Sequence, residues 1–200
     1  MITDMNQPLG NAVGNSLEVR EAIQVLKGQG PEDITRLSVE LAGMMIYMGE
    51  HADTPKEGVE KAVHALESGA GLAKFREYVA GQGGDPAVTE NDSLLPLSEY
   101  VETVTASRDG FVTGLDAMQI GLASQHTGAG RETKEDSIDH GAGILLQRKI
   151  GDPVKAGEAL CTVFSAEKKK LASASDEAAK DFQIGDKKPE IPELIHRVID

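Results

Sequence analysis

Thr3-Asp4-Met5-Asn6-Gln7-Pro8-Leu9-Gly10-Asn11-Ala12-Val13-Gly14-Asn15 is a glycine- and amide-rich loop that runs directly into a helix. Pro8, Gly10 and Gly14 are closely spaced turn formers, so the backbone folds back on itself and several carbonyls or amides point at one spot. Asn15 reads as the N-cap of the helix that follows. Val19, Ala22, Ile23 and Leu26 fall on one face of it, and Gly28 ends the run. Glu18 and Glu21 are left on or near the polar side, one turn apart. Spacing alone describes a capped surface helix after a turn.

Outward from this segment the signals stay helical to about residue 90. Pro31 opens a helix whose first turn carries Glu32 and Asp33, with Ile34, Leu37, Leu41, Met44, Met45 and Met48 as its expected buried face. Thr54-Pro55-Lys56-Glu57 is a capping box, followed by Val59, Ala62, Val63 and Leu66 at helical spacing up to Gly69. Leu72, Phe75 and Val79 mark a further helix that ends at Gly81. After residue 98 the pattern changes to short strands. Tyr100 to Thr105 and Phe111 to Leu115 flank Ser107-Arg108-Asp109-Gly110, where Asp-Gly is a hairpin signal. Met118, Ile120, Leu122 and Ala123 fit helix or strand. Ile144 to Lys149 and Ala159 to Phe164 flank two turns that bracket a short strand near Val154, Glu167 to Asp181 reads as a polar helix, and the tail from Lys187 is expected to run over the surface. The reading is α/β: residues 1–90 mostly helical, residues 91–200 a small mixed domain.

Composition excludes several functions. Lys and Arg number 20 against 33 Asp and Glu, a net charge of -13, and no basic stripe with interleaved aromatics relieves the repulsion of a nucleic acid. The run Lys168-Lys169-Lys170 follows Glu167 and reads as a solvated helix face. The single cysteine, Cys161, lies in the alternating apolar stretch Ala159 to Phe164 and reads as a core thiol. No signal-peptide pattern is present, and no apolar run reaches the ~18 residues of a membrane span, so a cytoplasmic protein with no membrane or nucleic-acid partner is expected.

The opening string, TDMNQPLGNAVGNSLEVREAIQVLKGQGPEDI, closely resembles the pyrimidine-nucleoside phosphorylases, the bacterial relatives of thymidine phosphorylase. The resemblance continues through AGQGGDPAV (Ala80 to Val88), DGFVTGLDAMQIGLAS (Asp109 to Ser124), GAGRETKEDSID (Gly128 to Asp139) and KIGDPVKAGEALCTVFS (Lys149 to Ser165), in the family's order and spacing. The chain looks like the C-terminal half of such an enzyme: residues 1–90 would be the C-terminal portion of the large α/β domain, and residues 91–200 its small C-terminal barrel-sandwich, or hammerhead-like, domain. The family cleaves uridine, thymidine or deoxyuridine with inorganic phosphate to the free base and pentose 1-phosphate. In the family, phosphate and base are gripped from the N-terminal half. The resemblance therefore implies that this portion carries no catalytic residue and is inactive alone, and that the full-length form is a homodimer. It also implies a potassium ion held by the backbone carbonyls of Leu9 and Ala12 and the carboxylate of Glu21; without it, Glu21 reads as a solvent-facing helix residue. Loop carbonyls with one formal charge suit a large, weakly hydrated cation.

A second candidate is Gly128-Ala129-Gly130-Arg131-Glu132-Thr133-Lys134-Glu135-Asp136, whose glycines beside Arg131 and Lys134 suit an anion; in the resembling enzymes this loop faces the cleft. Gln125-His126-Thr127 departs from the apolar residues usual just before it, and His126 reads as a polar loop residue. His51, His64, His140 and His196 lack a partner constellation. Two other classes remain: a non-catalytic structural or regulatory module, and a carrier-like module, since Gly151-Asp152-Pro153-Val154-Lys155-Ala156-Gly157-Glu158-Ala159-Leu160 resembles the biotinyl and lipoyl carrier pattern. No Met-Lys-Met or Asp-Lys-Ala hairpin accompanies it, so only the sandwich fold is expected from that likeness.

Overall fold

The computed structural model describes residues 1–199. It is α/β, as expected. The chain divides into two compact units, residues 20–95 and a discontinuous one made of residues 1–19 with 96–200.

In residues 20–95 the helices follow their sequence signals. Helix α1 (Asn15–Leu26) enters this unit midway along its length, and Gly28, at φ +72°, ends it. Helices α2 (Glu32–Met48), α3 (Pro55–Glu67) and α4 (Ala70–Gly81) come next. The Thr54 hydroxyl accepts the Glu57 N–H, and the Glu57 carboxylate reaches back to the Asp53 N–H at 2.8 Å. That exchange satisfies amides which the first turn of a helix leaves without partners. Helices α2 and α3 meet at two glycines: a Cβ on Gly58 would lie 2.2 Å from the Gly43 carbonyl oxygen. The packing stripe of α2 is therefore centred on Gly43 and Leu37. Met45 and Met48, expected as core, are 73% and 76% exposed, and Leu41 is exposed as well.

The discontinuous unit is a sandwich. Its strands are β1 (Ile2–Thr3), β2 (Ala12–Gly14), β3 (Tyr100–Thr105), β4 (Gly110–Gly114), β5 (Gly143–Leu146), β6 (Pro153–Val154), β7 (Ala159–Ser165), β8 (Gln183–Gly185) and β9 (Ile195–Arg197). One sheet has the order β2-β5-β7-β3, a second β6-β4-β8, and β1 pairs with β9. Between the strands lie α5 (Ala117–Ser124), capped by the Asp116 carboxylate, and α6 (Lys168–Asp181). The ambiguous Met118 segment is thus a helix. Its Ile120 and Ala123 join Val112, Ile144, Leu146, Cys161 and Val163 from the strands, with Leu171, Ala174 and Ala178 of α6, in one core. Burial in that core pushes the Cys161 thiol up to about 12, as suits a packing residue.

Two expectations differ from the structure. Strands β3 and β4 do not pair as a hairpin; they belong to different sheets. The Asp109 carboxylate accepts the Ala156 N–H at 2.8 Å, and the Gly157 N–H donates to the Ala106 carbonyl, so the Asp-Gly turn is caught by the 155–158 turn. The tail runs over the surface as expected, and its β9 pairs antiparallel with β1, Ile2 opposite Arg197. Residues 1–19 are built into the sandwich, with β2 as the edge strand against β5. There Gly14 faces Gly143, both at positive φ, and a Cβ on Gly14 would meet the Ala142 carbonyl oxygen at 2.6 Å.

Candidate functional site

The loop from Met5 to Gly14 is held on several sides within the sandwich unit. The Ala117 N–H donates to the Asn6 carbonyl, the Ile150 N–H to the Gln7 side-chain oxygen at 3.0 Å, and the Lys149 ammonium to the Gly10 carbonyl at 3.0 Å. The Leu146 N–H donates to the Asn11 carbonyl at 2.7 Å. Pro8 and Gly10 are buried, whereas the Leu9 side chain is exposed. Ala12 opposes Leu145 of β5. Because Asn11 receives the Leu146 N–H one residue earlier, the alternation of an antiparallel ladder turns the Ala12 carbonyl away from β5. The edge strand thus turns the Ala12 carbonyl away from β5, at the end of a loop that contacts to Asn6, Gln7, Gly10 and Asn11 hold in place.

Glu21, on the part of α1 that belongs to residues 20–95, is only 5% exposed. It is not the solvent-facing residue that helical spacing suggests, whereas Glu18 is exposed. Val19, expected on the apolar face, is exposed too. The start of α1 also differs from its sequence reading. Asn15 is the first helical residue, and its side-chain amide donates to the Ala129 carbonyl at 2.8 Å. The side chain that reaches back is Glu18, which accepts the Gly14 N–H at 2.9 Å.

A chain of buried hydroxyls links the opening loop to the 124–130 turn, and sequence reasoning missed it. The Ser124 hydroxyl donates to the Val13 carbonyl (2.8 Å), the Thr127 hydroxyl to the Ser124 carbonyl (2.6 Å), and the Ser165 hydroxyl to the Thr127 carbonyl (2.7 Å). Its one legible trace is the pair Ser124 and Thr127, three residues apart at the end of an apolar helix. Gln125 to Ala129 form a π-type turn in which Gly128 takes φ 105°. Opposite lie two adjoining hollows of about 110 and 170 Å³, which share Gly128, Ser137 and Lys170.

These hollows are not the expected anion cradle. Arg131 and Lys134 are exposed and line neither; the charged side chains that do include Glu132, Asp136 and Glu167 beside Lys170. The Lys170 ammonium contacts Glu167 at 2.7 Å, and that bond, with the charges of Asp136 and Glu132, raises its pKa. Backbone N–H groups, first that of Thr133, hold the Asp136 carboxyl below the usual carboxylate range. A phosphate approaching this hollow meets more negative than positive charge. His126 Nδ1 lies 2.6 Å from the Glu177 carboxylate, which ties the turn to α6. The remaining histidines are not brought together, and among the described residues no group of three metal-ligating side chains forms.

Residues 1–72 match the family model described as Glycosyl transferase family, a/b domain, and residues 111–185 that described as Pyrimidine nucleoside phosphorylase C-terminal domain. The chain is 43% identical over 205 residues to the pyrimidine-nucleoside phosphorylase of Staphylococcus aureus (strain bovine RF122 / ET3-1). It is 40% identical over 199 residues to that of Staphylococcus epidermidis (strain ATCC 12228 / FDA PCI 1200). Each alignment takes in the whole of this chain and 46% of the relative. Part of a glycosyl-transferase domain joined to a small sandwich domain sets the class. The chain belongs to the pyrimidine-nucleoside phosphorylase family. It spans about half the length of the curated relatives it matches, and corresponds to their C-terminal part.

Proposed function

We propose that this chain serves as the C-terminal part of a pentosyltransferase that cleaves pyrimidine nucleosides with inorganic phosphate, releasing the free base and pentose 1-phosphate. The observation that carries the reading is similarity along the entire chain, through two domain models in succession, to enzymes named for that reaction. In such a displacement phosphate attacks C1 of the sugar directly, so the protein needs no covalent nucleophile. This agrees with the residues at hand. Cys161, buried and with its thiol pushed up to about 12, is withdrawn from nucleophilic chemistry.

The contribution of this portion is a monovalent-cation site, with potassium as the ion. Leu9 and Ala12 would supply main-chain carbonyls and Glu21 a carboxylate. The fit rests on the chemistry of the set and on three observations: the turn at Pro8–Gly10 is fixed, the Ala12 carbonyl is directed off the edge of β2, and Glu21 is buried. Two neutral carbonyls with one charge match a large cation that sheds water readily. When bound, the ion would supply local positive charge beside a phosphate. The full-length protein would be a homodimer working in the cytoplasm. No helix among the described residues is long and apolar enough to cross a membrane.

Two measurements test this reading. The purified 200-residue chain, given uridine and phosphate, is expected to release no uracil above an enzyme-free control, because phosphate and base would be gripped by the other half. Turnover would refute that division of labour. In a full-length relative, Gln in place of the residue aligned with Glu21 removes the charge while keeping size and helix propensity. The potassium concentration needed for activity should rise with the fold intact. An unchanged requirement removes Glu21 from the site.

A further inference from the structure

Lys149 and Gly10 lie 139 residues apart in sequence, yet the ammonium of one meets the carbonyl of the other at 3.0 Å in a half-buried position. Lys149 is itself held from behind. Its N–H donates to the Asp152 carboxylate at 2.8 Å, and its carbonyl accepts the Asp152 N–H at 3.0 Å. Within the same turn the Gly151 N–H donates to the carbonyl of Val112, a fully buried core residue. The next residue, Ile150, donates its N–H to the Gln7 side chain. A turn rooted in the sandwich core thus delivers a positive charge to one main-chain oxygen of the Gln7–Gly10 turn, while the rest of the turn is anchored beside it.

A main-chain carbonyl is a dipole with no net charge, and the ammonium on it acts as potassium ions do on carbonyls: it sets the direction of the oxygen. Gly10 directly follows Leu9 and stands two residues before Ala12, so holding its carbonyl narrows the range of φ and ψ through which the flanking peptides can turn. We propose that Lys149 is a positioning residue, a cation built into the chain that orients the carbonyls of the Leu9–Ala12 turn. This rests on the reading that those carbonyls face a monovalent cation. The C-terminal domain then has a task in that site although it contributes no ligand.

The test is amide hydrogen exchange on the 200-residue chain in sodium buffer without potassium, read at Leu146, whose N–H is bonded to Asn11. Charge-assisted bonds of this kind contribute about 1.5–3 kcal/mol, so Lys149→Met should lower protection there by about tenfold or more. Lys149→Arg keeps a charged donor and should stay within about threefold of the parent chain, since a factor of three is well under the energy of one such bond. In Lys149→Ala, added methylammonium should restore protection where sodium at equal ionic strength does not. Equal loss in the Met and Arg variants, unchanged protection in both, or rescue by sodium overturns the proposal. If the Ala variant fails to fold, the Met and Arg comparison decides alone. The cation reading fails separately, when a full-length relative shows no response selective for potassium over sodium.

Discussion

Gly58 on α3 offers a prediction whose sign depends on which of two opposing terms is larger. Glycine within a helix costs about 0.5–1 kcal/mol relative to alanine, so Gly58→Ala should stabilise if propensity alone counted. The structure says otherwise: the added Cβ would stand 2.2 Å from the Gly43 carbonyl oxygen, 3.0 Å from its carbon and 3.4 Å from the Tyr47 nitrogen. These are backbone atoms of α2, which no rotamer change moves aside. The two helices must part by roughly 1 Å to restore a normal contact, which places the cost near the upper end of the ~1–3 kcal/mol usual for overpacking. The net effect is about 2 kcal/mol of destabilisation. For a unit of this size that lowers the thermal midpoint by roughly 10 °C. Gly121→Ala is the matched control, because that helical glycine on α5 has nothing within 4 Å of the added carbon and should gain about 0.5–1 kcal/mol. Both are measured by urea and thermal melts followed by circular dichroism. A Gly58→Ala chain as stable as its parent would mean that α2 and α3 do not approach as described.

Two further outcomes follow from buried groups. Ser165→Ala removes the donor to the Thr127 carbonyl inside the core, and with it the acceptor of the Glu167 N–H, so a loss of about 1–3 kcal/mol in a urea melt is expected. Cys161 should resist a maleimide reagent in the folded chain and react once urea exposes it. Because its folded-state pKa is raised to about 12, the unfolded chain loses the thiol proton first as alkali is added. Stability should therefore decline as pH rises from the ordinary thiol range toward 12, with a shallower slope in Cys161→Ala.

The legible part of the fold was the part written in local chemistry. Thr54 and Glu57 close a helix start with their own side chains, and Gly28 stops α1 through its own φ. Strands β3 and β7 appear where the pattern puts them. What depended on distant partners was not legible. Asp109-Gly110 is a sound turn signal, but which strand Gly110 joins is decided by Val154 and Gly185, far along the chain. Periodicity gave α2 a stripe through Met45 and Met48, whereas a close approach between Gly43 and Gly58 rotates the contact. Of the candidate site, the loop containing Leu9 and Ala12 was recognisable from its glycines and amides. The burial of Glu21 was hidden, since helical spacing cannot see what covers a polar side. Lys149 gave no signal, because a lysine in a Gly-Asp-Pro turn looks like any solvated one until its carbonyl partner is placed.

The seating of residues 1–19 in the sandwich bears on the order in which the molecule assembles. Helices α2 to α4 draw on near neighbours and can form as soon as residues 20–95 exist. The sandwich has to wait: Ala12 pairs with Leu145 and Ile2 with Arg197, so its first and last strands come from opposite ends of the chain. Closing so long a loop costs little at equilibrium, about 0.6 kcal/mol per doubling of length. It weighs on rate, because distant pairings are searched for slowly. During synthesis the edge of β2, together with the Pro8–Gly10 turn beside it, has to wait for β5 to emerge. The two motifs that meet at Lys149 and Gly10 are thus joined after the helical unit between them has taken shape, and β9 closes against β1 later still.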